Sequence, residues 1–199
     1  MRRTVDYYFA PQSPWMYLGH ERFAELLQRT GTQVRVLPVD FGKVFPVSGG
    51  LPLPQRAPQR QAYRLVELRR FSEALGIPLN PQPRCFPVAG DPAGWLITAV
   101  AEQDGDAAAM RLTGAVGRAV WAQERDIADA TVLAELLDEC GLDPQRLAQS
   151  QQDSVKALFA EHTAQAIDAG VFGAPSYVID GEVFWGQDRL DFVERRLMA

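Results

Sequence analysis

The run Thr4-Val5-Asp6-Tyr7-Tyr8-Phe9 is dense in β-branched and aromatic side chains and predicts a strand. A short polar stretch follows and ends at Ser13-Pro14, an N-cap residue with proline in the first helical turn. Apolar residues Trp15, Leu18, Phe23, Leu26 and Leu27 then recur at helical spacing until Gly31 stops them. From Gln33 to Phe41 the pattern alternates through Val34, Val36 and Val39, which predicts a second strand. A β-α-β opening favours parallel strands joined by a right-handed crossover.

Residues 46–58 are rich in proline and glycine and predict a loop. Helical patterning returns from Gln59 to Leu75, with Tyr63, Val66, Arg70 and Leu75 spread along it, and Gly76-Ile77-Pro78 ends it. A second proline-rich loop covers 80–92. Residues 93–170 are helical in composition, punctuated at Gly105, Asp129-Ala130-Thr131, Gly141 and Asp143-Pro144. That predicts about five helices with no strand between them. After Pro175 come a strand (Ser176–Ile179), an Asp180-Gly181 hairpin turn, a strand (Glu182–Trp185) and a closing helix from Gln187 to Leu197. The order β-α-β, helices, β-β-α predicts an α/β, thioredoxin-like fold with a large all-helical insertion. The thioredoxin-like domain is expected at 1–52 and 171–199, and the insertion at 53–170.

Composition narrows the chemistry. The chain has 199 residues, 47% of them apolar, enough for a core without disulfides or metal. Its charge of −5 and pI near 5.1 argue against a nucleic-acid surface built on net charge. The two cysteines (Cys85, Cys140) and two histidines (His20, His162) show no metal-ligand spacing, so no metal site is expected. The histidines also have no acid or nucleophile at a telling spacing, and a packed or exposed role is expected for both. No stretch reads as a targeting or membrane-spanning segment, so the expected compartment is the cytoplasm, with reduced thiols.

In a thioredoxin layout the reactive group sits at the N-terminus of the first helix, where backbone N–H groups and the dipole favour negative charge. Here that stretch reads Ser13-Pro14-Trp15-Met16. A dithiol enzyme needs cysteine at its first and fourth places, so disulfide exchange from this site is excluded. Ser13 is either a plain N-cap or a hydroxyl that holds another molecule's thiolate. Tyr63 and Arg70 lie on one helical face and could meet a substrate carboxylate, though such a pair is more often packing plus surface. Trp15, Tyr17, Trp95, Trp121 and Trp185 could wall an aromatic pocket or simply fill the core.

The opening Asp6-Tyr7-Tyr8-Phe9, then Ser13-Pro14-Trp15 and Tyr17-Leu18, resembles the 2-hydroxychromene-2-carboxylate isomerases. These are glutathione-dependent relatives of the kappa-class glutathione transferases, within the DsbA-like thioredoxin superfamily. Gly76-Ile77-Pro78, Gly170-Val171-Phe172-Gly173-Ala174-Pro175 and Trp185-Gly186-Gln187-Asp188-Arg189-Leu190 continue the likeness in order along essentially the whole chain. The resemblance implies that Ser13 stabilises the glutathione thiolate. It implies a cis peptide at Ala174-Pro175, whose backbone would pair with the tripeptide as an added strand. Gln187 and Asp188 would bind the γ-glutamyl end, and Arg60, where the family has lysine, the glycine carboxylate. The chain departs from the transferases near Gly50 and Leu51, where neither side chain supplies their asparagine amide.

The expected function is a glutathione-dependent isomerase of a small aromatic or unsaturated carboxylic acid, with glutathione as cofactor. A kappa-class-like transferase and a non-catalytic glutathione- or peptide-binding module are the alternatives. A homodimer is expected by analogy with relatives; no nucleic-acid or membrane partner is expected.

Overall fold

Val5, Tyr7, Tyr8 and Phe9 are all buried because β1 (Thr4–Phe9) is covered on both faces. The computed structural model describes residues 3–199. In it β1 is an inner strand of a four-stranded sheet with β2 (Gln33–Pro38), β3 (Ser176–Ile179) and β4 (Glu182–Trp185), in the order β2-β1-β3-β4. β2 runs parallel to β1, from Thr4 opposite Gln33 to Phe9 opposite Pro38. β3 runs antiparallel, with Tyr8 opposite Ser176, and β4 pairs antiparallel with β3. Asp180 and Gly181 take φ of 51° and 82° between the paired residues Ile179 and Glu182, the conformation that a two-residue Asp-Gly hairpin demands.

The helix α1 (Pro14–Thr30) links β1 to β2 and ends where Gly31 turns left-handed at φ 62°. Its buried face carries Met16, Phe23 and Leu26 into the main hydrophobic cluster. Tyr7 stacks parallel to Tyr177 at 5.4 Å, and Phe23 meets both rings at 4.8 and 4.6 Å.

Two boundaries differ from the sequence expectation. β2 stops at Pro38, and Asp40 caps a further helix, α2 (Phe41–Ser48), by accepting the Gly42 N–H at 2.8 Å. Pro46 lies inside α2. Proline there removes one helical donor, which a short, well-capped helix survives. The closing segment begins as a 3-10 turn (Gln187–Arg189) before the last α-helix, Leu190–Met198.

The expected helix at 59–75 is α3 (Pro58–Leu75). The insertion then supplies five helices: α4 (Asp91–Asp104), α5 (Asp106–Trp121), α6 (Ala130–Glu139), α7 (Gln145–Gln149) and α8 (Asp153–Asp168). The last helix in chain order, Leu190–Met198, is α9. One hydrophobic cluster joins Tyr7, Phe9, Phe23 and Tyr177 to Leu96, Leu112, Trp121 and Leu136 of the insertion. A second, smaller one gathers Tyr8, Leu37, Phe41, Val44 and Val178 under α2 and α8.

Short polar punctuation fixes where the helices start. Asp129 accepts the Thr131 N–H at 2.7 Å, and Asp143 the Gln145 N–H at 2.9 Å. Asp129→Ala is expected to cost about 1 kcal/mol of stability, read as a lower urea midpoint at unchanged slope.

Candidate functional site

Ser13 stands at the end of β1 nearest α1, with extended backbone (φ −74°, ψ 125°). Its N–H donates to the Ala10 carbonyl at 2.9 Å, and its own carbonyl receives the Tyr17 N–H at 3.1 Å. Its Oγ accepts the Met16 N–H at 3.2 Å, so it is the N-cap of α1. That bond uses an oxygen lone pair and leaves the hydroxyl hydrogen to donate. Met16, at the fourth place, is wholly buried in the core.

The sheet register carries Ala174-Pro175 to the same place. Ser176 lies opposite Tyr8, so an antiparallel continuation sets Ala174 level with Ala10, three residues before Ser13. The Ala174-Pro175 peptide is cis. A second cis peptide, Phe86-Pro87, is one the sequence reading did not anticipate.

The 3-10 turn at Gln187 docks beside them. Gly186 donates its N–H to the Pro175 carbonyl at 2.9 Å. Gln187 is buried, and its backbone approaches α1 at Gly19. A Cβ on Gly19 would lie 2.7 Å from the Gln187 Cβ and 3.2 Å from the Tyr177 hydroxyl. Gly19→Ala therefore overpacks the joint between α1 and the turn. It is expected to cost about 1 kcal/mol of stability, read as a lower urea midpoint at unchanged slope.

Arg22 holds this turn from α1. Its guanidinium donates to the Gln187 backbone carbonyl at 2.9 Å and also to the Gln187 side-chain oxygen. Asp188 is exposed and pairs with the neighbouring Arg189 at 2.6 Å. Arg60 stands apart from these groups, exposed on the first turn of α3 beside Arg56.

Residue 12 opens a feature that sequence reading passed over. Gln12, the residue before Ser13 in the chain, lines a cavity of about 210 Å³ with Asp40, Phe45, Pro52 and Asp91. Burial and the nearby Asp40 raise the Asp91 carboxyl pKa, and Lys43 eases it only in part. The wall is therefore acidic. A larger groove, about 970 Å³, runs between α1, α5 and β2, through Ala24, Arg35 and Met110. None of the residues proposed to bind glutathione lines it.

The weaker candidates disperse. Tyr63 is 58% exposed, and Arg70 pairs with Glu67 at 2.8 Å on the surface. Trp121 is buried in the core, and Trp95 lies under Lys156 at 4.6 Å. Trp185 meets Phe172 edge-on at 4.9 Å, Trp15 meets Phe71 at 5.9 Å, and Tyr17 donates to the Pro78 carbonyl at 2.8 Å. These five aromatics do not form one wall. At the loop where the transferases carry asparagine, Leu51 is exposed and its carbonyl receives Arg56 Nε at 2.8 Å.

Comparison with known proteins shows what the whole chain is similar to. The chain is 28% identical over 200 residues to 2-hydroxychromene-2-carboxylate isomerase of Sphingobium xenophagum, covering 100% of both chains. It is 27% identical over 204 residues to glutathione S-transferase kappa 1 of Caenorhabditis elegans, covering 95% of this chain and 88% of that one. A solved structure of 2-hydroxychromene-2-carboxylate isomerase superposes with a TM-score of 0.84 at 25% identity, covering 98% of this chain and 94% of that one. These relatives are enzymes, named as an isomerase and a glutathione transferase, and the chain is an enzyme with them. The model of the DsbA-like thioredoxin domain matches residues 4–198, and the chain belongs to that family.

Proposed function

We propose that the chain is a glutathione-dependent isomerase of a small aromatic or unsaturated carboxylic acid of the 2-hydroxychromene-2-carboxylate kind. The observation that carries this reading is Ser13: a hydroxyl capping α1 where a dithiol enzyme keeps its first cysteine, with Met16 at the fourth place.

The donor set fits glutathione. Ser13 offers a hydroxyl hydrogen to a sulfur anion, at a helix start that favours negative charge. The Ala174 backbone offers main-chain groups to an extended peptide. Gln187 contributes through the backbone of its turn, because Arg22 already holds its side-chain oxygen. Asp188 offers a carboxylate to the γ-glutamyl ammonium; its surface pairing with Arg189 is weak and easily exchanged. Arg60 offers a guanidinium to the glycine carboxylate.

Bound glutathione would supply a thiolate that adds to an electrophilic carbon, allows rotation about the bond made single, and leaves again. Ser13 holds the negative charge at sulfur before addition and after departure. Ala174 and the Gln187 turn fix the tripeptide so that its sulfur stays at the start of α1. A transferase on the same site would release the thioether as product, which the kappa-class relative keeps as the second reading.

The test is turnover of 2-hydroxychromene-2-carboxylate with and without glutathione. Isomerisation that needs glutathione and returns it unchanged supports the reading. Consumption of glutathione into product favours the transferase, and binding without turnover favours a non-catalytic module.

A further inference from the structure

Arg56, Arg60 and Arg64 follow one another at four-residue intervals, at and just before the start of α3. Arg64 is half-buried, and its guanidinium lies over two rings, 5.3 Å from the Phe86 centroid and 5.6 Å from that of Trp121. Those rings meet each other at 4.8 Å, and Trp121 is anchored in the core. Arg56 lies over the Phe45 ring at 5.9 Å, steadied by the Leu51 carbonyl.

Among the described residues these guanidinium groups pair with no acid, whereas several other arginines of the chain do. Arg70, further along α3, pairs with Glu67, and Arg125 with both Glu135 and Glu139. Burial lowers the Arg64 pKa to about 10, and the positive charge of Arg56 pushes it the same way. Arg56 is lowered in turn by burial and by Arg60. A half-buried cation pushed by like charges is a costly arrangement that an anion would complete.

Arg56 joins the cluster to the cavity at Gln12. Phe45 lines the cavity that Gln12 shares, and Arg56 rests on that same ring. Trp15, two residues after Ser13, packs on Phe71 of α3. Phe71 lies seven residues after Arg64, on the same helical face. The lining of that cavity also holds Asp40 and Asp91, which repel an anion.

We propose that Arg64, assisted by Arg56, binds the carboxylate of a planar aromatic or conjugated acid and aims the rest of it toward Ser13. A guanidinium suits this role because its planar fork grips a carboxylate at two points while its face rests on rings. Arg60, exposed and outermost, is left to glutathione. The inference rests on the isomerase reading of the same site and adds where its acid is held.

The test uses the whole protein and two probes of one shape, cinnamate and its neutral counterpart cinnamamide. Each is titrated by calorimetry with and without glutathione, and glutathione is titrated separately. Wild type is expected to prefer cinnamate by about tenfold or more. Arg64→Gln removes that preference, and Arg64→Lys restores only part of it because an ammonium lacks the fork. Arg56→Gln weakens it severalfold, and glutathione affinity stays as in wild type in all three variants. A wild type without preference, or an Arg64→Gln protein that keeps it, overturns the proposal. Should Arg64→Gln fail to fold, an undiminished preference in Arg56→Gln overturns it equally. Failure of wild type to bind glutathione sinks the isomerase reading instead, while the cinnamate preference still decides Arg64.

Discussion

Ser13→Ala is expected to lower glutathione-dependent turnover by about 10- to 150-fold, the loss of one hydrogen bond to a charged sulfur, about 1.5–3 kcal/mol. The fall should appear chiefly in the rate at neutral pH and shrink as pH rises. At high pH glutathione ionises without help, so the missing hydroxyl matters less. Substrate titrations separate this from misfolding. The α1 cap bond is also lost, at about 1 kcal/mol, so the variant remains folded but slightly less stable. Ser13→Cys would instead restore a nucleophile at the first place. With Met16 at the fourth place it still could not close a disulfide there.

The second large effect is acid destabilisation. His20 is buried, donates from Nε2 to the Met110 carbonyl at 2.9 Å, and accepts from the Tyr7 hydroxyl at 3.3 Å on Nδ1. The bond accepted from Tyr7 needs the neutral ring, whereas the bond donated to Met110 persists in the charged one. Burial lowers the His20 pKa from 6.5 to about 4. His162 is likewise lowered to about 4, by burial first and by Arg35 second. The sign follows from linkage. Between pH 6.5 and 4 the unfolded chain takes up protons that the folded chain refuses, so stability present above 6.5 falls away through that window. Each histidine contributes about 3 kcal/mol to that fall. Urea unfolding across the window should show the loss. A His20→Gln, His162→Gln double variant should flatten it, because glutamine keeps hydrogen-bonding capacity without titrating. An equally steep loss in the double variant would place the acid sensitivity elsewhere.

The strands, the first cap and the hairpin were legible because each depends on neighbours in sequence. Tyr7 and Phe9 announce a strand, Ser13-Pro14 a helix start, and Asp180-Gly181 a tight turn. The α2 helix was not legible, because Pro46 reads as a breaker while the Asp40 cap that offsets it is a single side-chain bond. The site divides the same way. Ser13 stands out locally, while Ala174-Pro175 and Gln187-Asp188 entered through resemblance to a family and came together only in the sheet register. Arg22 carries no local signal, since its partner Gln187 is 165 residues away. Arg64 reads from sequence as one more cation on a charged helix. Its distinction is the pair of rings beneath it, supplied by residues 86 and 121. Tyr63 and Arg70, weaker candidates on that helix, sit at the surface around Glu67.

The most direct measurement of the central claim is the thiol titration of glutathione bound to the protein, followed by ultraviolet absorbance of the thiolate. A free thiol titrates near 8.5. The Ser13 hydroxyl and the α1 terminus together should bring bound glutathione to roughly 5.5–7.5 in wild type. In Ser13→Ala it should return most of the way. A bound thiol that titrates near 8.5 in wild type, or at the same lowered pH in both proteins, would contradict the role assigned to Ser13.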